Sequence, residues 1–119
     1  MAHPEQREFV FRAKKFIDSQ TRIRSIVEFG SYGVNGEIRS LFQNTNLSTY
    51  IGVDLIEGPG VDLVGFAHEI EHSFEAFDLA ISVNVFEHDE YWELSFKKML
   101  ELVKPGGWII FSCASRGFP

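Results

Sequence analysis

The sequence has 119 residues, and its 45% hydrophobic and 14% aromatic content is enough to build the core of one globular domain, which argues against disorder. Its 11 Lys and Arg residues against 17 Asp and Glu residues give a net charge of -6, and the cations are not clustered. A phosphate backbone would repel such a chain, so we expect no nucleic-acid partner.

The spacing of apolar residues alternates along the chain between the helical and the strand period, which is typical of an α/β protein. The predicted elements, in chain order, are a helix at about 4–19, a buried strand at 25–29, a short helix at 38–42, strands at 50–54, 61–64 and 77–83, a helix at about 89–103 and a strand at 108–113. We expect the helix at 89–103 to bury Leu94, Met99 and Leu102, and to end at Lys104-Pro105-Gly106-Gly107.

Nearly continuous apolar strands separated by helices indicate a parallel sheet that is covered on both faces. Right-handed crossovers favour a doubly wound, Rossmann-like sheet with the strand order 3-2-1-4-5. In such a sheet a ligand lies at the carboxyl ends of the first and fourth strands, where the strand order reverses. The candidate site residues are therefore those at 28–36, at 54 and at 84–88.

The loop after the first strand carries glycines at 30, 33 and 36. A dinucleotide fingerprint requires a second close glycine where Tyr32 stands, and the charge of Glu28 would repel a pyrophosphate. The same charge would attract a ligand with an ammonium and a sulfonium group, such as S-adenosylmethionine. Alternatively, Glu28 faces a helix N-terminus, where an acid is favourable by about 0.3–1 kcal/mol.

Asp54 ends the second predicted strand. A carboxylate at this place accepts hydrogen bonds from the ribose diol of an adenosine cofactor, whichever cofactor is used. Each charged hydrogen bond contributes roughly 1.5–3 kcal/mol, so we expect Asp54 to dominate the affinity for a nucleoside. The alternative is an Asp that only starts a turn at the end of a strand.

Four segments together resemble class I S-adenosylmethionine-dependent methyltransferases, and most of all their ubiquinone/menaquinone-biosynthesis-type branch: Val27-Glu28-Phe29-Gly30, Tyr50-Ile51-Gly52-Val53-Asp54, Phe77-Asp78-Leu79-Ala80-Ile81-Ser82 and Leu102-Val103-Lys104-Pro105-Gly106-Gly107. Residues 34–36, 57–62 and 86–89 are similar to a subgroup of bacterial enzymes often linked to surface glycans. The resemblance implies S-adenosyl-L-methionine as cofactor and methyl transfer to oxygen or nitrogen of a small molecule or glycan. The alternatives are a truncated, non-catalytic cofactor-binding domain and an NAD-dependent oxidoreductase.

The resemblance also implies roles for individual residues. The methionine portion of the cofactor would be held by Glu28, Gly30, Ser31, Tyr32 and Gly33, and its amino group by the backbone carbonyl of Asn84. Asp54 would bind the ribose. Leu55 would cover one face of the adenine, and Ala67 and His68 would line its edge. Phe66 stands where many relatives have an Asp, so we expect stacking to hold the adenine. The other histidines, His3 and His72, are expected at the surface or in packing, as is the His68 ring.

Glu87 and His88 follow the fourth strand, where the catalytic cleft is expected. His88, with Glu87, is the candidate general base for an acceptor hydroxyl, because a histidine titrates near neutral pH. A second interpretation is a metal site formed by the same pair, but Asn84 replaces a further acidic ligand, and no metal is predicted. A third is an acidic helix start, with Asp89 as N-cap and Glu90 in the first turn.

Relatives of this family continue beyond the fifth strand, so the chain is predicted to be a single domain, 1–119, that lacks the final strand pair of the seven-stranded fold. The strand at 108–113 would then be a hydrophobic sheet edge, and an exposed edge invites pairing with a second copy. We expect a homodimer, or else aggregation, through this edge.

The only cysteine is Cys113, so an internal disulfide is excluded and a reducing compartment fits best. Residues 1–8 contain no apolar signal region, and no run approaches the roughly 20 apolar residues of a membrane span. We therefore expect a cytoplasmic protein with no membrane partner.

Overall fold

The computed structural model describes residues 4–33, 37–43, 46–71, 76–83, 85 and 89–112. The elements of this part of the chain are helices α1 (Pro4–Asp18) and α2 (Trp92–Leu102), strands β1 (Ser25–Phe29), β2 (Thr49–Asp54), β3 (Leu63–Val64), β4 (Phe77–Val83) and β5 (Val103–Ser112), and 3-10 helices at Arg39–Phe42 and Ala67–Glu69. Neither α-helix is long and apolar enough to cross a membrane.

The five strands form one parallel sheet with the order β3-β2-β1-β4-β5. The predicted doubly wound topology is therefore confirmed. Strand β4 lies between β1 and β5, and all seven of its residues are buried, as its continuous apolar sequence predicted. On the described residues β5 pairs with β4 alone, and pairing of its other edge with a second copy stays a prediction.

Alternate residues of the central strands feed two separate cores, one on each face of the sheet. On the first face, Ile26 and Leu79 pack with Val10 and Ile17 of α1. On the second face, the core includes Val27, Phe29 and Ala80 of the sheet and Met99 and Leu102 of α2. Full burial of such a side chain contributes about 1.5–3 kcal/mol, so the two helices fix both faces of the sheet.

Helix α2 begins at Trp92, three residues later than its predicted start. Asp89 forms a turn before the helix: its Oδ1 accepts the Tyr91 N–H at 2.8 Å and its Oδ2 accepts the Ser95 hydroxyl at 2.6 Å. The prediction for Leu94 was wrong, because Leu94 is 52% exposed. The buried stripe runs instead through Ser95, Met99 and Leu102, and Leu94 lies about 100° around the helix from Ser95.

Strand β5 begins at Val103, five residues before its predicted start. Val103 pairs with Phe77 and Trp108 pairs with Leu79, so the intervening segment bulges out of the ladder. Gly106 adopts a φ of 81° in this bulge, a conformation that glycine tolerates at little cost. The segment Lys104-Pro105-Gly106-Gly107 thus follows the end of α2, as expected, but β5 already begins before it and continues after it.

Candidate functional site

The chain leaves β1 in a sharp turn that only glycine accommodates. Gly30 has a φ of 76°, and a Cβ built on it would lie 2.3 Å from Cγ2 of Val85. The Gly30 N–H donates to the Val53 carbonyl at 2.7 Å, and the Ser31 N–H donates to the same oxygen at 3.1 Å. These bonds carry the chain across the end of β2 and bring it against the segment that follows β4.

A second turn, at 58–60, supports the loop from the other side. The Gly33 N–H donates to the Pro59 carbonyl at 2.9 Å. A Cβ on Gly58 would lie 2.3 Å from the Tyr32 ring, so the ring packs directly against this glycine. Tyr32, which breaks the dinucleotide fingerprint, is accommodated by a glycine in a different segment. The contact between Tyr32 and Gly58 was not predicted from the sequence, where only the turn residues Gly58-Pro59-Gly60 could have signalled it.

Asp54 joins the loop to the end of β2. Its Oδ2 accepts the Tyr32 N–H at 3.0 Å, and its Oδ1 accepts the Leu55 N–H at 2.7 Å. A carboxylate has about four acceptor positions, so these bonds leave Asp54 with capacity to accept from a ligand. The side chain is half-buried and lines a cleft.

The cleft lies at the carboxyl ends of β1, β2 and β4 and has a volume of about 280 Å³. Its floor is formed by residues 29–30 and 53–55, one wall by 65–67, and the other by Val85 and 89–91. This is the place where a doubly wound sheet binds its ligand. Of the predicted cofactor residues, the cleft brings together Gly30, Asp54, Leu55 and Ala67.

Aromatic rings form one end of the cleft. The Phe66 ring lies 5.7 Å from that of Tyr91 in an edge-to-face arrangement. The His68 ring lies 5.4 Å from Phe66 and 4.9 Å from Tyr91. His68 is therefore a packing residue through its ring, as expected, and it joins the 3-10 helix Ala67–Glu69 to the turn before α2.

Glu28 lies apart from this cleft. It follows Val27 and precedes Phe29, which lines the cleft, so its side chain points to the opposite face of the sheet. Glu28 is 5% exposed, and its Oε1 accepts the Tyr50 hydroxyl at 2.7 Å. Burial raises the pKa of Glu28 to about 7, against the lowering effect of the Tyr50 hydrogen bond.

Some predicted site residues lie outside the described residues: Gly36, Asn84, Glu87, His88, His3 and His72. Ser31, Tyr32 and Gly33 are described and form the loop itself; Ser31 is buried. Within the described ranges, no group of three or more His, Cys, Asp and Glu side chains is placed to bind a metal ion.

The sequence matches the profile of a protein family described as a methyltransferase domain, over residues 3–118. The chain belongs to this methyltransferase domain family. The resemblance stated from the sequence is thereby confirmed at the level of the family. The quinone-pathway branch and the glycan-linked subgroup stay predictions. No relative among curated proteins matches the sequence significantly.

Solved structures share the fold of this methyltransferase domain. An S-adenosylmethionine-dependent methyltransferase from Clostridium acetobutylicum is 14% identical, with a TM-score of 0.70 over 96% of this chain and 52% of that one. The YcgJ protein of Bacillus subtilis is also 14% identical, with a TM-score of 0.70 over 91% of this chain and 50% of that one. A third structure is that of phosphoethanolamine N-methyltransferase 2 from Haemonchus contortus in complex with phosphomonomethylethanolamine and S-adenosylhomocysteine. It is 21% identical, with a TM-score of 0.64 over 85% of this chain and 27% of that one. The chain thus spans about half of the first two proteins and 27% of the third.

Proposed function

We propose that the cleft binds S-adenosyl-L-methionine and that the chain is the cofactor-binding part of a methyltransferase acting on oxygen or nitrogen of a small-molecule or glycan acceptor. The observation that carries the proposal is the position of Asp54 on the cleft floor, at the end of β2, with its carboxylate hydrogen-bonded to the loop after β1. The family of the chain and the strand order support the same assignment.

Three features of the cleft fit an adenosine group. Asp54 offers acceptor oxygens to a ribose diol. Leu55 and Phe66 are 57% and 41% exposed, and both line the cleft, so they offer apolar surface to an adenine ring. The exposed Phe66 ring suits adenine stacking. Ala67 follows Phe66 and lines the same cleft, so its backbone groups would lie near the edge of the adenine ring.

Methyl transfer asks mainly for positioning and exclusion of water. The bound cofactor would supply a methyl group already activated by its sulfonium. The residues of this chain would hold the nucleoside in the cleft and orient the methionine portion through the loop at 30–33. A contact of Glu28 with the methionine portion stays a prediction, since the Glu28 side chain does not line the cleft. His88 and Glu87 stay our candidates for removing a proton from the acceptor, and Asn84 for binding the cofactor's amino group.

Calorimetric titration of the purified chain with S-adenosylhomocysteine tests the proposal, with NAD as the competing ligand. We expect binding of the first ligand alone. Asp54→Asn should weaken it roughly 10- to 150-fold, the equivalent of about 1.5–3 kcal/mol for a lost charged hydrogen bond. Glu57→Gln is the matched control, since it removes an equal charge three positions away, at an exposed side chain that does not line the cleft.

Circular dichroism of each variant checks that the fold is retained, because Asp54 also binds backbone N–H groups. Binding of NAD in place of S-adenosylhomocysteine would favour the oxidoreductase alternative. A folded chain that binds neither ligand would contradict the proposed function. Tight binding without methylation of any acceptor would favour the non-catalytic alternative.

A further inference from the structure

The wall of the cleft at 65–67 offers few groups that accept a hydrogen bond from a ligand. The Phe66 side chain is an apolar ring, and Ala67 carries only a methyl group. The Phe66 carbonyl accepts the Glu69 N–H at 3.0 Å, and the Ala67 carbonyl accepts the Ile70 N–H at 3.4 Å. Both carbonyls are therefore used by the turn of the 3-10 helix. The backbone N–H groups of this wall can donate to a ligand, but they cannot accept.

The opposite wall, at 89–91, lies against the same 3-10 helix. The Tyr91 ring is 5.7 Å from the Phe66 ring and 4.9 Å from the His68 ring. Tyr91 lines the cleft together with Phe66, so these contacts place the two walls next to each other at this end. A flat ring that lies on Phe66 therefore has the segment 89–91 as its neighbour.

Asp89 and Glu90 both line the cleft, but their carboxylates differ in what they bind. Asp89 Oδ1 accepts the Tyr91 N–H at 2.8 Å, and Asp89 Oδ2 accepts the Ser95 hydroxyl at 2.6 Å. These bonds fix Asp89 in the turn before α2. The Glu90 side chain is exposed, and within the described part of the chain no hydrogen bond or ion pair engages its carboxylate. Glu90 thus brings an available acceptor to this wall.

We propose that Glu90 is a specificity-determining residue whose carboxylate accepts a hydrogen bond from the exocyclic amino group of the cofactor's adenine. The inference rests on the proposed function and deepens it. With the adenine against Leu55 and Phe66, its amino group is a donor that has left water and needs an acceptor. Glu90 supplies that acceptor from the opposite wall, and so selects for a purine that carries the amino group.

His68 carries the competing acceptor. Its Nδ1 is buried and has no hydrogen-bond partner among the residues that the structure describes. However, the His68 ring packs against Phe66 and Tyr91 and does not line the cleft. A ligand would reach Nδ1 only if these rings separated, whereas Glu90 is exposed. The placement of the two residues therefore favours Glu90.

The test compares two ligands that differ in one group. S-adenosylhomocysteine carries the amino group on its purine, and its 6-deamino analogue carries a hydrogen in that place. A charged hydrogen bond contributes a factor of roughly 10 to 150, so calorimetric titration of the parent chain should show this preference for S-adenosylhomocysteine. In Glu90→Ala the preference should disappear, because affinity for S-adenosylhomocysteine falls while affinity for the analogue stays unchanged.

Two further variants complete the design. Glu90→Gln keeps an acceptor oxygen but removes its charge. Hydrogen bonds to a charged partner are about twice as strong as neutral ones, so the preference in this variant should fall to roughly 3- to 12-fold. Glu93→Ala is the matched control for Glu90→Ala, since it removes an equal charge from an exposed side chain in the first turn of α2 that does not line the cleft. Both affinities should be unchanged in it, and circular dichroism checks the fold of each variant.

The outcomes separate this inference from the proposed function. If the folded parent chain binds neither ligand, the proposed function fails and this inference fails with it. If the parent chain binds S-adenosylhomocysteine without preference over the analogue, or if Glu90→Ala keeps the full preference, the role of Glu90 is overturned and the proposed function stands. An equal loss of affinity for both ligands in Glu90→Ala would also overturn it, because such a loss reflects the attraction of a charge for the whole ligand.

Discussion

Replacing Gly30 with alanine tests whether the turn after β1 has the shape described. A side chain at a φ of 76° costs an L-residue about 1–2 kcal/mol. The new Cβ would also lie 2.3 Å from Cγ2 of Val85, and relieving such overpacking costs about 1–3 kcal/mol more. The free energy of unfolding of Gly30→Ala should therefore fall by about 2–5 kcal/mol, a large share of the 5–15 kcal/mol typical of a domain.

Gly106→Ala is the matched control for this prediction. Gly106 has a φ of 81°, nearly that of Gly30, but nothing lies within 4 Å of the position of its Cβ. It carries the backbone cost without the clash, so its loss of stability should be smaller by about 1–3 kcal/mol. Urea denaturation followed by circular dichroism measures both variants. Equal losses in the two would refute the close approach of Gly30 to Val85.

Two further predictions concern the core and the buried acid. Leu102→Ala, in the core, should lower the free energy of unfolding by about 2–5 kcal/mol. Leu94→Ala, at an exposed position, should change it by less than about 1 kcal/mol. Equal effects of the two variants in urea denaturation would contradict the orientation of α2. The pKa of Glu28 is raised on folding, so its ionisation destabilises the folded chain as the pH rises from about 4.5 to about 7. Glu28→Gln should remove this dependence of stability on pH and stabilise the ligand-free chain at pH 8 by on the order of 3 kcal/mol. Thermal unfolding measures the change, and a variant no more stable than the parent chain would contradict the burial of a charged carboxyl.

The sheet order was predictable from the sequence because the relevant signals are local. The short apolar run of β4, which lies between turn signals, favours a strand buried on both faces. Gly30 directly follows β1 and Asp54 ends β2, both at the edge of the sheet where ligands bind. Right-handed crossovers then excluded most other arrangements. The cleft follows from these few constraints.

The contacts between distant segments were not predictable in the same way. The pairing of Tyr32 with Gly58, and of Arg39 with Asp62, depends on how two loops meet in space, and no spacing in the sequence encodes it. Leu94 was misplaced because two apolar stripes fit the same helix, and only tertiary packing chooses the one through Ser95. Tyr50 was treated as the start of a strand, and nothing local indicates that its hydroxyl reaches Glu28.

The most direct test of the cofactor assignment is to map S-adenosylhomocysteine onto the chain by amide chemical shifts of the ¹⁵N-labelled protein. We predict that the amides that shift on titration cluster around the cleft, at Gly30, at 54–55 and at 66–67, while those of α1 stay in place. Shifts spread over α1, or none in a folded chain at saturating ligand, would contradict the assignment of the cleft to the cofactor.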